Sequence, residues 1–401
     1  MTDDLQPEID EVPLWGEQTE AALGALSFSG LELGSLPRLA SAFGWVKVAA
    51  ARANGSAGVL DPAMVEAISQ AARSLAFGRY DAHLVVDPLA GGGGIAVHQN
   101  VNEVIASVAS ELLGSAVGAQ VHVAASQSTA DVCHTAARLA LIDAAADLDD
   151  VVADLVAALR AAAERFDGVP TLARTCLQDA TEVPARMLFD GAADALARRR
   201  QVLVAAVAPL HQVVLGSTVV GDGTGAPAAY RAVVVAELAD VTGTPLVGHP
   251  SPASALQHGD DLVDLSGSVL ALAVVAAKVA QDLRLLGSGP AGGLGELVLP
   301  KVIEGSTFFV AKNNPVVPET VIQAALQVTG RDATVRAAAA RAELNLHGYD
   351  LTAGVSVLES IDMANRALAL LRVHVIDGLA LDEARCRELA ALAASHKDAS
   401  A

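Results

Sequence analysis

Aromatic residues are nearly missing from this chain: two Trp, three Tyr and seven Phe make up 3% of its 401 residues. A core built without them must be filled by small aliphatic side chains, and 52% of the chain is hydrophobic, mostly Ala, Val and Leu. Ala keeps helix propensity high and adds little bulk, so such segments form closely spaced helices. Cysteine is equally scarce, and Cys133, Cys176 and Cys386 stand in no metal-ligand spacing, which gives neither a disulfide framework nor a zinc site. Positive charge is in deficit, with 26 Lys and Arg against 46 Asp and Glu, a net charge of −20. That field repels nucleic acid and anionic lipid, so neither is an expected partner. It also repels an anionic substrate unless a local pocket reverses the sign. Long uncharged runs are lacking as well, although the mean hydropathy is +0.43. The most apolar stretch, 265–285, carries Lys278, Gln281, Asp282 and Arg284, whereas a membrane span needs about 20 residues with few or no charges. The apolar excess is therefore read as buried helix surface, part of it between subunits. The acidic start, Met1-Thr2-Asp3-Asp4, has no basic region followed by an apolar core, and a cytoplasmic protein without a signal peptide is expected.

Along the chain, the first ninety or so residues read as short helices and loops, punctuated by Pro37, Asn54-Gly55, Asp61-Pro62, Asp87-Pro88 and the glycines 91–94. From Val101 the period becomes helical. Long helical patterns cover 101–113, 129–163, 179–215, 260–286 and 319–371, with apolar residues recurring at i, i+3 and i+4. Patterns of about 25 residues or more exceed the globular norm and predict a bundle. Two loops interrupt it, a glycine-rich one at 287–295 and a polar one at 302–317. A mobile glycine-rich entry to a polar loop has the makings of a lid.

Three polar knots sit at helix ends. Ser126-Gln127-Ser128-Thr129 precedes a long helix, whose free N–H groups together with the hydroxyls suit an anion. Arg174-Thr175-Cys176-Leu177-Gln178-Asp179 is a second. The third, Gly305 to Pro315, sets Ser306, Thr307, Lys312, Asn313 and Asn314 within ten residues. In an acidic protein, a lysine beside two asparagines is a reasonable carboxylate clamp.

The same residues carry a resemblance. Gly305-Ser306-Thr307 through Lys312-Asn313-Asn314-Pro315 resembles the signature loop of the aspartase/fumarase superfamily, usually written GSSxMPxKxNP. Val85-Val86-Asp87-Pro88, Asn100-Val101-Asn102-Glu103-Val104, Gln127-Ser128-Thr129 with Asp131, Leu177-Gln178-Asp179, Leu294-Gly295-Glu296 and Glu343-Leu344-Asn345 match in order over some 300 residues. The resemblance implies an all-α, three-domain fold divided at 1–100, 101–350 and 351–401: an N-terminal helical domain, a central long-helix bundle, and the bundle's end with a short C-terminal domain. It implies a homotetramer whose central helices form one shared core and whose active sites draw on several subunits. It implies a cofactor-free and metal-free lyase that eliminates a substituent from a C4 dicarboxylate to give fumarate. Ser306 falls on the general base. Lys312, Asn314 and Thr175 fall on the groups that hold one carboxylate, and Ser128, Thr129 and Thr307 on those that hold the other. Glu319 matches a glutamate that usually partners the family's histidine.

The departures from that pattern bear on the leaving group. Ile95 stands for a threonine, His98 for an asparagine, Ala130 for the asparagine after the Ser-Thr pair, and Cys176 for the histidine after Thr175. An ammonium buried there without partners would cost about 1–3 kcal/mol for each missing group. A neutral, planar, weakly hydrogen-bonding nitro group suits a pocket lined by Ile95, His98, Ala130 and Cys176 better. The sequence therefore favours nitrite release from nitrosuccinate. The alternatives are an aspartate ammonia-lyase with a rearranged amine site, a cycloisomerase or other superfamily lyase on a larger dicarboxylate, and a non-catalytic scaffold.

Overall fold

The computed structural model describes residues 12–309 and 312–398. In chain order the elements are α1 (Glu17–Leu26), α2 (Pro37–Ser56), α3 (Pro62–Ala76), α4 (Ile95–Leu113), α5 (Thr129–Arg165), β1 (Pro170–Thr175), β2 (Gln178–Pro184), α6 (Arg186–Val207), β3 (Gln212–Val213), α7 (Ala228–Thr242), β4 (Val247–Gly248), α8 (Pro252–Gln257), α9 (Asp260–Leu286), β5 (Leu297–Val298), α10 (Val316–Ala339), α11 (Asp350–Leu371), β6 (Ala380–Leu381) and α12 (Glu383–Asp398). The protein is mostly helical, and among the described residues the strands form three two-stranded sheets, β1–β2, β3–β4 and β5–β6. The chain divides into two compact units. One holds the residues up to Leu141 with Leu210–Gly259 and Ala338–Val355, and the other holds Ile142–Pro209, Asp260–Ala337 and the residues from Ser356.

In the first unit α2 packs on α3 and α7, and α4 packs on α1 and α3. Pro37 opens α2 at its first turn, where the missing N–H is not needed. The helix is then buried on nearly every side from Leu39 to Ala51. Its crossing with α3 depends on Gly44, where a Cβ would lie 2.6 Å from Ala76 N and 2.8 Å from Ala72 O. Asp61 caps α3 by accepting from Met64 N at 3.0 Å. Phe43 and Tyr230 are fully buried in this core, and Trp45 meets exposed Phe77 edge-on at 5.5 Å between ring centroids. Fully buried Arg138, on α5, donates to Asp350 at the start of α11 at 2.5 Å. Burial works against the Asp350 charge. Arg138 and the hydrogen bonds from His347 and Arg138 nevertheless hold its carboxyl well below the usual range.

In the second unit α6 packs along α9, and α12 lies on the β1–β2 hairpin. The glycine-rich segment after α9 is a closed turn. Gly295 N donates to Ser288 O at 2.9 Å and Leu294 N to Ser288 Oγ at 3.1 Å. By length and composition α9 is apolar enough to cross a membrane, but half of its most apolar window is buried in the protein.

Helices at 129–165 and 260–286 match the sequence patterns closely. Two patterns need correction. The run 179–215 is not one helix: its first residues form β2, and helix begins only at Arg186, past Pro184. Residues 170–175 supply an antiparallel partner, with Pro170 opposite Pro184 and Thr175 opposite Gln178, and pairing outweighs local propensity. The run 319–371 breaks between Ala339 and Asp350. There Leu344 takes a left-handed φ of 51° and buried His347 donates its N–H to Leu256 O at 2.7 Å.

The start of α1 has no cap of its own, because Gly16 precedes it. Glu103 of α4 supplies one from 84 to 87 residues away, accepting from Gly16 N, Gln18 N and Thr19 N at 2.9–3.0 Å and from Thr19 Oγ1 at 2.6 Å. Its negative charge also suits the positive end of the helix dipole. Replacing Glu103 with Ala is expected to destabilise the protein by about 1–3 kcal/mol. Amide exchange should speed up across Glu17–Leu26 first, as hydrogen-exchange mass spectrometry would read.

Candidate active site

The Ser128-Thr129 knot is placed by two buried polar side chains of the first unit. Asn54 of α2 donates to Ala125 O at 2.9 Å and accepts from Ser126 Oγ at 2.6 Å. This holds the turn in which Ser126 takes a left-handed φ of 62°. Asp131 is fully buried and accepts from Ser128 N (2.9 Å), Gly216 N (2.9 Å) and Thr218 N (3.0 Å). Burial pushes its carboxyl up to about 6, opposed by those three amides and by the Lys47 charge. The helix start is thus braced from within. The amide of Ala130, expected to be free for an anion, donates to Ser128 Oγ at 3.3 Å. The hydroxyls of Ser128 and Thr129 stand at this helix start, both side chains partly exposed.

Behind Thr129 lies a chain of contacts. His98 Nδ1 is 3.0 Å from Thr129 Oγ1, and its Nε2 is 2.8 Å from Lys47 Nζ, which donates to Gln127 Oε1 at 2.7 Å. Lys47 and His98 are both buried. Burial pushes the Lys47 ammonium down to about 7, opposed by Cys133 and Asp131. Burial, and then the neighbouring Lys47, hold His98 well below the usual imidazole range, so it is neutral. Sequence reading named His98 and missed Lys47, which hides in an Ala/Val run. The signal was there: a helix apolar on all sides leaves its one lysine nowhere to reach water.

The other proposed leaving-group residues of this unit are placed differently. Ala130 is buried against Val214 and Leu256, and Ile95 is 48% exposed at the first turn of α4. Cys176 belongs to the second unit and is exposed.

In that second unit, Thr175 ends β1 and the two-residue turn Cys176-Leu177 leads into β2. Both turn residues have left-handed φ, 52° and 61°. Hairpin turns of this hand usually use Asn-Gly, and non-glycine residues there carry about 1–3 kcal/mol of strain each. The base of the hairpin holds the tip in place. Buried Glu296 accepts from Arg174 at 2.6 Å and from Thr171 Oγ1. A removed charge partner inside such a pair is costly, so the hairpin direction is firmly set.

Ser306 sits in the polar loop, where its Oγ accepts from Phe308 N at 3.1 Å and Phe309 N at 3.2 Å. Two amides aimed at one hydroxyl oxygen stabilise negative charge on it. Asn314, assigned to a carboxylate, braces the loop by donating to Gly305 O at 2.7 Å, and Asn313 donates to Leu299 O at 3.0 Å. Thr307 and Lys312 are exposed. Glu319, expected beside a histidine, pairs instead with Arg284 at 3.0 Å, in keeping with Cys176 at the histidine's position. The structure thus gathers Ser128, Thr129 and His98 in one unit. In the other it gathers Ser306, Thr307, Lys312 and Asn314 in one loop, with Thr175 on the hairpin.

Comparison with known proteins gives a consistent picture. A family model described as "Lyase" matches residues 10–330. An aspartate ammonia-lyase from Pseudomonas canavaninivorans is 36% identical over 390 residues, covering 95% of this chain and 82% of that protein. A class II fumarate hydratase from Corynebacterium efficiens is 34% identical over 383 residues, covering 94% and 80%. Among solved structures, a fumarate lyase:delta crystallin from Brucella melitensis in native form superposes with a TM-score of 0.91 at 34% identity, covering 96% of this chain and 89% of that one.

Gly305 admits no side chain, since a Cβ would lie 1.9 Å from Lys312 O. Gly305→Ala is expected to open the loop while leaving the helices intact. Trypsin should then cut after Lys312 several-fold faster at unchanged far-ultraviolet dichroism, and an unchanged cleavage rate would show that the contact does not hold the loop.

Proposed function

The chain belongs to the aspartase/fumarase superfamily of lyases, and on that premise we propose that it forms fumarate from a substituted succinate, with nitrite from nitrosuccinate as the favoured leaving group. The observation that supports the chemistry most directly is the pair of amides on Ser306 Oγ. A serine is a poor base at its ordinary pKa, and donors that stabilise the alkoxide correct this. The alkoxide takes the proton from the carbon beside one carboxylate. The electron pair of that C–H bond becomes the double bond, and the bond to the leaving group breaks with its pair. Negative charge builds on the carboxylate next to the carbanion, where Lys312, Asn314 and Thr175 on one side, or Ser128, Thr129 and Thr307 on the other, supply donors that need no rearrangement. No cofactor takes part in this scheme.

The leaving group is argued from what its surroundings lack. Ile95, Ala130 and Cys176 offer no carboxamide or imidazole to an ammonium, and Ala130 packs among apolar neighbours. A nitro group asks for no such partners, and nitrite departs as a stable anion. A second reading, aspartate ammonia-lyase, is favoured by the names of several relatives 31–36% identical to this chain. We further propose a cytoplasmic homotetramer with active sites shared between subunits. Long helices with exposed Val274 and Leu326, 54% and 66% accessible, support it, because apolar side chains on a bundle helix suit burial against another copy.

The test is ultraviolet detection of fumarate with aspartate, malate and nitrosuccinate in separate assays, with nitrite measured in parallel. Fumarate and equal nitrite from nitrosuccinate alone is the expected result, and fumarate from aspartate alone selects the second reading. Ser306→Ala should lower kcat by about 10³-fold. A variant that keeps wild-type turnover would remove Ser306 from the role of base.

A further inference from the structure

The Lys47–His98–Thr129 chain has a direction that follows from counting hydrogens. Gln127 Nε2 donates to Val123 O at 2.9 Å and Ala125 O at 3.1 Å, so both of its hydrogens are used and Oε1 faces Lys47 as an acceptor. Lys47 therefore donates to Gln127. Its contact with His98 Nε2 depends on its own charge. An ammonium has no lone pair, so Nε2 must accept. The single hydrogen of the neutral imidazole then sits on Nδ1 and is donated to Thr129 Oγ1. The hydroxyl hydrogen of Thr129 is left free for a ligand. With Lys47 as a neutral amine, Nε2–H can donate to its nitrogen and Nδ1 becomes an acceptor. Thr129 then turns its hydrogen inward and offers the ligand only lone pairs, which an anion avoids.

We propose that Lys47 and His98 are positioning residues that make Thr129 a hydrogen-bond donor to an anionic carboxylate, so that carboxylate binding is linked to protonation of Lys47. The inference rests on the reading of Thr129 as a carboxylate ligand. The groups around the relay are few. Asp131 and Cys133 of α5 act on Lys47, His98 comes from α4, and Tyr230 of α7 lies near Asp131. Burial keeps the Cys133 thiol and the Tyr230 hydroxyl well above their usual ranges, and His98 stays neutral. Asp131, at about 6, is already charged above neutrality, so Lys47, at about 7, is the group whose charge changes as the pH rises past 7. A bound carboxylate selects the ammonium form, and the proton comes from solvent.

The experiment uses the full-length protein and succinate, a dicarboxylate with no leaving group. Its dissociation constant should rise by up to about tenfold per pH unit above about pH 7. Calorimetry near pH 8, in two buffers of different ionisation enthalpy, should show uptake of close to one proton. His98→Gln should weaken succinate and flatten the pH profile, because the amide reaches Lys47 but not Thr129 as well. His98→Asn should do the same from the other end. Lys47→Met should abolish proton uptake, and if it does not fold, the wild-type calorimetry still decides. Succinate binding that is independent of pH, with no proton uptake, would overturn the relay alone. An absence of succinate binding at every pH would overturn both the relay and the reading of Thr129 beneath it.

Discussion

One buried carboxylate organises the polar groups at the start of α5 in the first unit. Asp131 gathers three backbone amides, from Ser128 beside it and from Gly216 and Thr218 some 85 residues away. A carboxylate that accepts several N–H groups can remain buried where a bare one cannot. These amides are fixed in space only because the carboxylate is there to receive them. The position of Ser128 and Thr129, the strained left-handed Thr218 and the charge that faces Lys47 all follow from that arrangement.

The two units support their polar groups in opposite ways. Around Thr129 the supports are buried, as with Lys47, His98, Asn54 and Asp131. In such surroundings each missing or misplaced hydrogen matters, since unsatisfied groups there are expensive. Around Ser306 the supports are backbone amides and asparagines in a loop with exposed Phe308 and Phe309, 88% and 67% accessible. A loop with so little buried apolar area opens and closes at low cost. Buried supports suit donors held in a fixed place, and an exposed loop suits groups whose position can change.

Much of the fold was legible in the chain because Ala, Val and Leu repeat at helical spacing through α5, which has no Gly or Pro, and through α9, which has only Gly267. The hairpin was not. Its turn is Cys-Leu rather than Asn-Gly, so no turn signal announces it, and what fixes it is Glu296, more than 120 residues from Arg174 and Thr171. The break between α10 and α11 was hidden for a similar reason, since its tie is from His347 to Leu256. Among the residues proposed for the site, Ser306, Lys312, Ser128 and Thr129 are the ones a motif singles out in the sequence. Lys47 belongs to no motif: its apolar helix marks it as buried, but its partners on α4 and α5 appear only in three dimensions. So does the partner of Glu319, which is Arg284.

The scarcity of aromatic side chains has an optical consequence. Both tryptophans, Trp15 and Trp45, lie in the first unit, one near His83 and the other edge-on to Phe77. Intrinsic fluorescence therefore reports on the surroundings of α2, α3 and α4 and is silent about the hairpin and the Ser306 loop. An unsaturated dicarboxylate is not excited where tryptophan is, so product formation leaves that emission undisturbed. A single absorbance trace can then follow product while the emission channel follows the fold.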